Sequence, residues 1–190
     1  MEKKLILTDV DGVLLNWGDA MDDWLVSHDY IKGDAVDYDL AVSYNINKTE
    51  KRRVVRMFNE SVRGVNLPPH RDAVKYVRKL REDHGFMFKA ITSFSNDRLA
   101  QRGREDNLER VFGFRFDDVL CLGTGDDKDL ALLPYKDSGI VWVEDKVENA
   151  ELGVRMGLNV FLMRHEWSKG YTNPDMTIVD SWAEIYEAVK

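Results

Sequence analysis

Cysteine is nearly missing: Cys121 is the one thiol in 190 residues. No disulfide framework can form within the chain, and a lone thiol in an apolar stretch reads as buried and inert in a reducing cytosol. Long apolar runs are missing too. The opening Met-Glu-Lys-Lys leads into only Leu5-Ile6-Leu7, far too short for a signal peptide or a membrane span, so a soluble cytoplasmic protein without a membrane partner is expected. Positive charge is scarce, with 27 Lys and Arg against 34 Asp and Glu and a net charge of -7. That balance, with no Lys/Arg stripe, disfavours polymeric nucleic acid as a partner, yet leaves open a single phosphate held in a local pocket.

Several motifs are absent as well. There is no Gly-x-x-x-x-Gly-Lys segment, and the lone Gly123-Thr124-Gly125 is too short to stand for one. A calcium loop starting at Asp9 would need an acid or amide where Val13 stands and a glycine two residues beyond Gly12. His28, His70, His84 and His165 lack metal-ligand spacing and read as surface or packing residues. No internal repeat, low-complexity tract or flexible linker interrupts the chain.

What is present suffices for one sizeable core with a small insertion: 44% of residues are hydrophobic and 11% aromatic. Leu5 to Thr8 reads as a buried strand ending in acids, since Asp11-Gly12 behind it is a turn signal. Ala73, Val74, Val77 and Leu80 recur at helical spacing over 70–84, and Gly85 stops that helix. Strands follow at Phe86 to Ile91, Val119 to Leu122, Ile140 to Val143 and Asn159 to Met163, alternating with helices at Asp97 to Arg110, Lys128 to Leu133, 147–156 and Trp182 to Val189. Such alternation predicts an α/β fold, a Rossmann-like doubly wound parallel sheet whose ligand site lies at the carboxyl ends of the strands.

One stretch breaks the rhythm. Between the first strand and the helix at 70 lie roughly 55 residues, too many for an ordinary crossover. They hold Trp17, Trp24, Tyr30, Tyr38, Tyr44 and Phe58, and Met21 to Val26 and Lys51 to Val62 have helical character. The division expected is a core of 1–15 and 67–190 with a small helical insertion over 16–66.

Three strand ends carry chemistry. Asp9-Val10-Asp11-Gly12-Val13 puts two carboxylates on one side of an extended segment, and charges so close call for a cation; magnesium, which takes oxygen ligands, suits them. Ala90-Ile91-Thr92-Ser93 ends a strand in hydroxyls that can hold phosphoryl oxygens. Val141-Trp142-Val143-Glu144-Asp145 ends another in two acids that can complete a metal shell begun by Asp9 and the Asp11 carbonyl.

Together these motifs resemble the haloacid dehalogenase (HAD) superfamily: Asp9-x-Asp11-Gly12-Val13 is similar to its motif I, Thr92 to motif II and Glu144-Asp145 to motif IV, in the family's order. The segment from Glu144 to Gly157 is similar to a family stretch that opens Glu-Asp-Ser-x-x-Gly and closes on a glycine, with Lys146 and Asn149 in place of small residues. For the motif III lysine the candidates are Lys128 and Lys136. The helix before the Glu144 strand runs antiparallel to it, which puts Lys128 near the catalytic edge and Lys136 roughly 12 Å further on.

The resemblance implies a magnesium-dependent phosphomonoester hydrolase. Asp9 would be the nucleophile that forms an aspartyl-phosphate, and Asp11 the general acid and base. Thr92, Ser93 and Lys128 would hold the phosphoryl group, and Asp9, Asp11, Glu144 and Asp145 the Mg2+. The insertion takes the place of the family's C1 cap, where Trp17 and Trp24 can stack on a planar base or simply pack. With Thr92-Ser93 and the compact core, this resembles the 5'(3')-deoxyribonucleotidase branch and points to nucleoside monophosphates among small phosphorylated substrates. The alternatives are a 3'-phosphatase that processes nucleic-acid ends and a phosphate-binding regulatory module without turnover. Oligomeric state is not encoded in these features.

Overall fold

The computed structural model describes residues 4–190; Met1, Glu2 and Lys3 of the opening segment lie outside it. Six strands form one sheet: β1 (Leu5–Thr8), β2 (Met87–Ser93), β3 (Asp118–Leu122), β4 (Val141–Glu144), β5 (Asn159–Met163) and β6 (Thr177–Val179). Every pairing is parallel, in the order β3-β2-β1-β4-β5-β6. The doubly wound α/β architecture expected from the alternation is therefore present. Four fully buried residues in β4 fit a central parallel strand covered on both faces.

Register aligns the chemistry. Thr8 lies opposite Ala90 on one side and Val143 on the other, so Asp9, Thr92 and Asp145 leave the sheet at the same edge. The helices are α1 (Trp17–Val26), α2 (Leu40–Ser43), α3 (Lys48–Asn59), α4 (Ala73–His84), α5 (Arg98–Phe112), α6 (Asp129–Leu132), α7 (Val147–Arg155) and α8 (Trp182–Val189). None is long and apolar enough to cross a membrane. One apolar cluster joins Ile6, Phe88, Val143 and Trp182 to Met21, Trp24, Val54 and Phe58. A second, on the opposite face, joins Leu7, Trp142, Ala150 and Leu162. The first three helices therefore share a core with one face of the sheet.

Some elements differ from the sequence reading for local reasons. The helix expected from Met21 starts at Trp17 because the Asn16 side chain accepts from the Asp19 N–H and caps it. Asn47 likewise caps α3 at Lys48, and that helix stops at Asn59, short of Val62, where Ser61 turns back onto the Phe58 carbonyl. One-turn α2 and three-residue β6 had no periodicity long enough to read. The helix over 70–84 does end at Gly85, which takes φ +71° and closes the C-terminus.

Candidate active site

Asp9 stands at the end of β1, its backbone N–H donating to the Val143 carbonyl at 2.8 Å. One carboxylate oxygen, Oδ1, accepts from the Val10 N–H at 2.7 Å, and Oδ2 faces Lys128 Nζ at 2.9 Å. Lys128 immediately precedes α6 and is only 1% exposed. Its ammonium also donates to Glu144 Oε2 at 2.8 Å. The other Glu144 oxygen accepts from the backbone N–H groups of Asp145 and Lys146 at 3.0 and 3.1 Å. Both Glu144 oxygens are thus engaged, one on the ammonium and one on the start of the next turn. Lys136 is exposed and away from this cluster.

Two further acids complete the edge. Asp145 is buried, with Oδ2 3.7 Å from His165 Nε2. Asp11 is paired with the fully buried guanidinium of Arg104. Between them runs Gly12, at φ +77°; a Cβ there would sit 2.2 Å from Asp145 Oδ2, so the close approach of loop and carboxylate requires glycine. His165 Nε2 donates to the Gly12 carbonyl at 2.8 Å and fixes the loop from above.

The electrostatics follow from crowding. Burial and the neighbouring Glu144 push Asp9 up to about 8, against the pull of Lys128. Burial, Glu144 and Asp9 raise Asp145 well above the ordinary carboxylate range. Burial also raises Asp11, with Arg104 pulling the other way, whereas Lys128 holds Glu144 low against its burial. Acids packed this way cannot all ionise without an added positive charge. Asp9, Glu144 and Asp145 each offer an oxygen, all within 4.8 Å of one another. An all-oxygen donor set of this kind fits a hard divalent cation. Glu144, committed to Lys128 and two amides, is the most engaged of the three, Asp9 meets one amide and Lys128, and Asp145 is the least engaged.

Thr92 and Ser93 end β2 beside this edge. Thr92 is buried and lines the site, and Ser93 Oγ donates to the Asp126 carbonyl at 2.7 Å. Over the edge opens a cavity of about 1330 Å³, bounded below by Asp9, Thr92 and Lys128 and above by Trp17 and Tyr38 of the insertion. Trp17 Nε1 donates to Asn59 Oδ1 at 2.9 Å, and Asn59 Nδ2 donates to the Phe94 carbonyl at 2.8 Å, a chain that ties the insertion to the loop after β2. Trp24 is not brought to the site: it stacks on His28 at 3.9 Å and meets Phe58 edge-on at 5.9 Å, away from the cavity.

The structure also gathers residues that the sequence did not single out. His70, His165 and Trp167 stack in series, with centroids 5.1 and 4.2 Å apart, and Tyr38 meets Trp167 edge-on at 5.8 Å; all four line the cavity. His70 and His165, read from spacing alone as surface or packing residues, therefore stand beside the acidic sheet edge. Burial holds them down to about 3 and about 4. Arg104 did leave a signal: it occupies the buried stripe Ala100, Leu108, Phe112 of α5, where an apolar residue is due. Cys121, on edge strand β3, is half-buried, and its burial pushes the thiol up to about 12, which keeps it unreactive.

No family model matches the chain. Among characterised folds, it takes that of HAD-superfamily hydrolases. An L-2-haloacid dehalogenase from Xanthobacter autotrophicus with chloropropionic acid covalently bound superposes with a TM-score of 0.61 at 11% identity, over 98% of each chain. A HAD family hydrolase from Deinococcus radiodurans with bound phosphate and sodium superposes with a TM-score of 0.56 at 17% identity, over 98% of this chain and 94% of that one. In sequence, an uncharacterised 32.4 kDa protein of the Gp30-rIII intergenic region of enterobacteria phage T4 is 25% identical over 134 residues, 67% of this chain. The match spans 48% of that phage protein, about half its length.

Proposed function

We propose that the chain is a magnesium-dependent phosphomonoester hydrolase that works through an aspartyl-phosphate on Asp9. The observation that carries this reading is the convergence at one sheet edge of Asp9, Asp11 and Asp145 with a buried lysine held on both Asp9 and Glu144. Phosphate bound to the Deinococcus hydrolase of the same fold supports it.

In this mechanism the Asp9 carboxylate attacks phosphorus, and Asp11 gives its proton to the departing ester oxygen and then takes one from the attacking water. Lys128, fixed by Glu144, faces the phosphoryl oxygens and offsets their charge, while Thr92 orients them. A magnesium ion on Asp9, Asp145 and the Asp11 carbonyl would supply Lewis-acid charge at the same place. Glu144 acts here as the holder of Lys128. The cap residues Trp17 and Tyr38, above the phosphoryl site, would meet the leaving group, and a planar base is the group their rings suit. Nucleoside monophosphates are accordingly the leading substrate class.

Haloacid hydrolysis is the second reading, favoured by the dehalogenase structures of the same fold. A halide departs without a proton, so that reaction gives Asp11 no leaving-group role. A screen decides: mononucleotides, sugar phosphates, a 3'-phosphorylated oligonucleotide and L-2-chloropropionate, each with and without magnesium. Magnesium-dependent phosphate release from mononucleotides is the expected result. Halide release without phosphatase activity overturns the proposal, and preference for the oligonucleotide moves it to end processing.

A further inference from the structure

The structure assigns Arg104 a positioning role toward Asp11, an inference that rests on the reading of Asp11 as acid and base. The guanidinium is fully buried, and sequestering a cation is costly unless its partners are good. Its partners are specific. One terminal nitrogen, Nη1, holds Asp11 Oδ1; the other, Nη2, donates to the Gly64 carbonyl at 3.1 Å; and the plane lies over the Phe94 ring at 4.2 Å. Gly64 lies in a tight turn where a Cβ would stand 2.0 Å from the Phe58 carbonyl oxygen, so only glycine places its carbonyl there. Apart from Asp11, the planar group is held by the Gly64 carbonyl and the Phe94 ring, with no solvent to turn into, so it resists following Asp11 as that side chain rotates and biases Asp11 to conform to it.

The consequence is a division of labour between the two Asp11 oxygens. With Oδ1 tied to Arg104, the carboxyl plane is set, and Oδ2 is the oxygen left for the cavity that Asp11 lines. When the Asp9 oxygen bonds to phosphorus and the ester P–O bond breaks, the proton on Oδ2 passes to the departing oxygen, which leaves as an alcohol. In the second step a water oxygen attacks phosphorus, the Asp9–phosphoryl bond breaks, and Oδ2 recovers a proton from that water. Arg104 exchanges no proton; it determines which oxygen carries one.

Leaving groups test this, because a p-nitrophenolate departs without a proton and an alkoxide does not. We expect Arg104→Met to lower kcat/KM, which reports only as far as departure of the leaving group, at least about tenfold on an alkyl phosphate, as part of the 10²- to 10⁴-fold that general acid catalysis supplies. On p-nitrophenyl phosphate the loss in kcat/KM should stay under about threefold, while kcat falls alike on both esters wherever the shared water step limits turnover. Arg104→Lys keeps the cation without the two-point hold and should fall between wild type and Arg104→Met; it also serves if the methionine variant folds poorly. Asp11→Asn is the reference, with the same leaving-group bias in larger measure. If Asp11→Asn shows the bias and both Arg104 variants lose kcat/KM equally on the two esters, Arg104 is a packing residue and the inference falls alone. If the wild type hydrolyses neither ester, the phosphohydrolase reading falls and takes this inference with it.

Discussion

The acidic sheet edge and the insertion above it are built by opposite means. At the edge, charge is paired inside the fold: Lys128 with Asp9 and Glu144, and the buried Arg104 with Asp11. In the insertion, charge pairs such as Lys32 with Asp22 and Arg53 with Glu50 lie in solvent, and order comes from Trp24, Val54 and Phe58 packed inside. Ile31 is left 85% exposed. Exposed pairs of that kind contribute little, whereas breaking a buried one leaves an uncompensated charge. The edge is therefore specified by chemistry and sensitive to conservative change; the insertion is specified by volume and tolerant outside its aromatic centre.

The sharpest way to break that contrast is Asp9→Asn, which keeps shape and removes the anion. Turnover should fall at least about a thousandfold while Tm holds or rises, because an acid crowded by Glu144 is relieved. Chelation of divalent ions should abolish phosphate release from the wild type, with recovery on adding magnesium; activity that survives exhaustive chelation counts against the role given to Asp145. Next comes the lysine pair: Lys128→Ala should lower kcat roughly a hundredfold or more, and Lys136→Ala less than about twofold. The reverse order would dismantle the placement of α6.

Substitutions in the insertion should separate by location. Trp24→Ala should cost about 3 kcal/mol of stability by denaturant unfolding and affect every substrate alike. Trp17→Ala, at the cavity, should reduce kcat/KM for a nucleoside monophosphate by an amount worth about 1 to 3 kcal/mol and spare a small generic ester. Equal losses on both esters would make Trp17 a packing residue like Trp24.

The smallest expected effect concerns acid stability. His70 and His165 are held mainly by burial to about 3 and about 4, below their ordinary 6.5. Their stabilisation is complete above pH 6.5, where they are neutral folded or unfolded. It is lost as pH falls from there toward 4 and then 3, because the unfolded chain takes up the protons first. Replacing His70 with Phe removes that penalty. The variant should therefore gain on the wild type by up to about 2 kcal/mol between pH 7 and pH 5, by calorimetry. An unchanged difference would show that His70 reaches solvent in the fold.

Much of the edge was legible because its residues sit at strand ends. Asp9, Thr92 and Asp145 each follow an apolar run, and a parallel sheet brings such ends to one side. Lys128 was placed by helix direction alone. Glu144 could be read as acidic, but not as the holder of Lys128, because its partners come from a different element and from the turn behind it. His165 and Tyr38 could not be found, since each reaches the cavity from an irregular stretch without periodicity. In the insertion, helices were visible but their starts were not, because the Asn16 and Asn47 caps act through side-chain geometry.

The sheet order also has a consequence for synthesis. Strand β1 is central, yet its neighbours β2 and β4 are encoded far downstream, and β4 emerges only after the insertion, α4, α5 and α6. At ordinary translation rates Leu5, Ile6 and Leu7 wait on the order of ten seconds for their second neighbour. Until β2 is made the nascent chain carries an apolar strand with two open edges, and one edge stays open until β4 follows, a hazard for aggregation on the ribosome. Met21, Leu25 and Phe58, translated in that gap, belong to the same apolar cluster as Ile6. The insertion is thus the first partner available to shield one face of β1, so its apolar centre is coupled to expression yield.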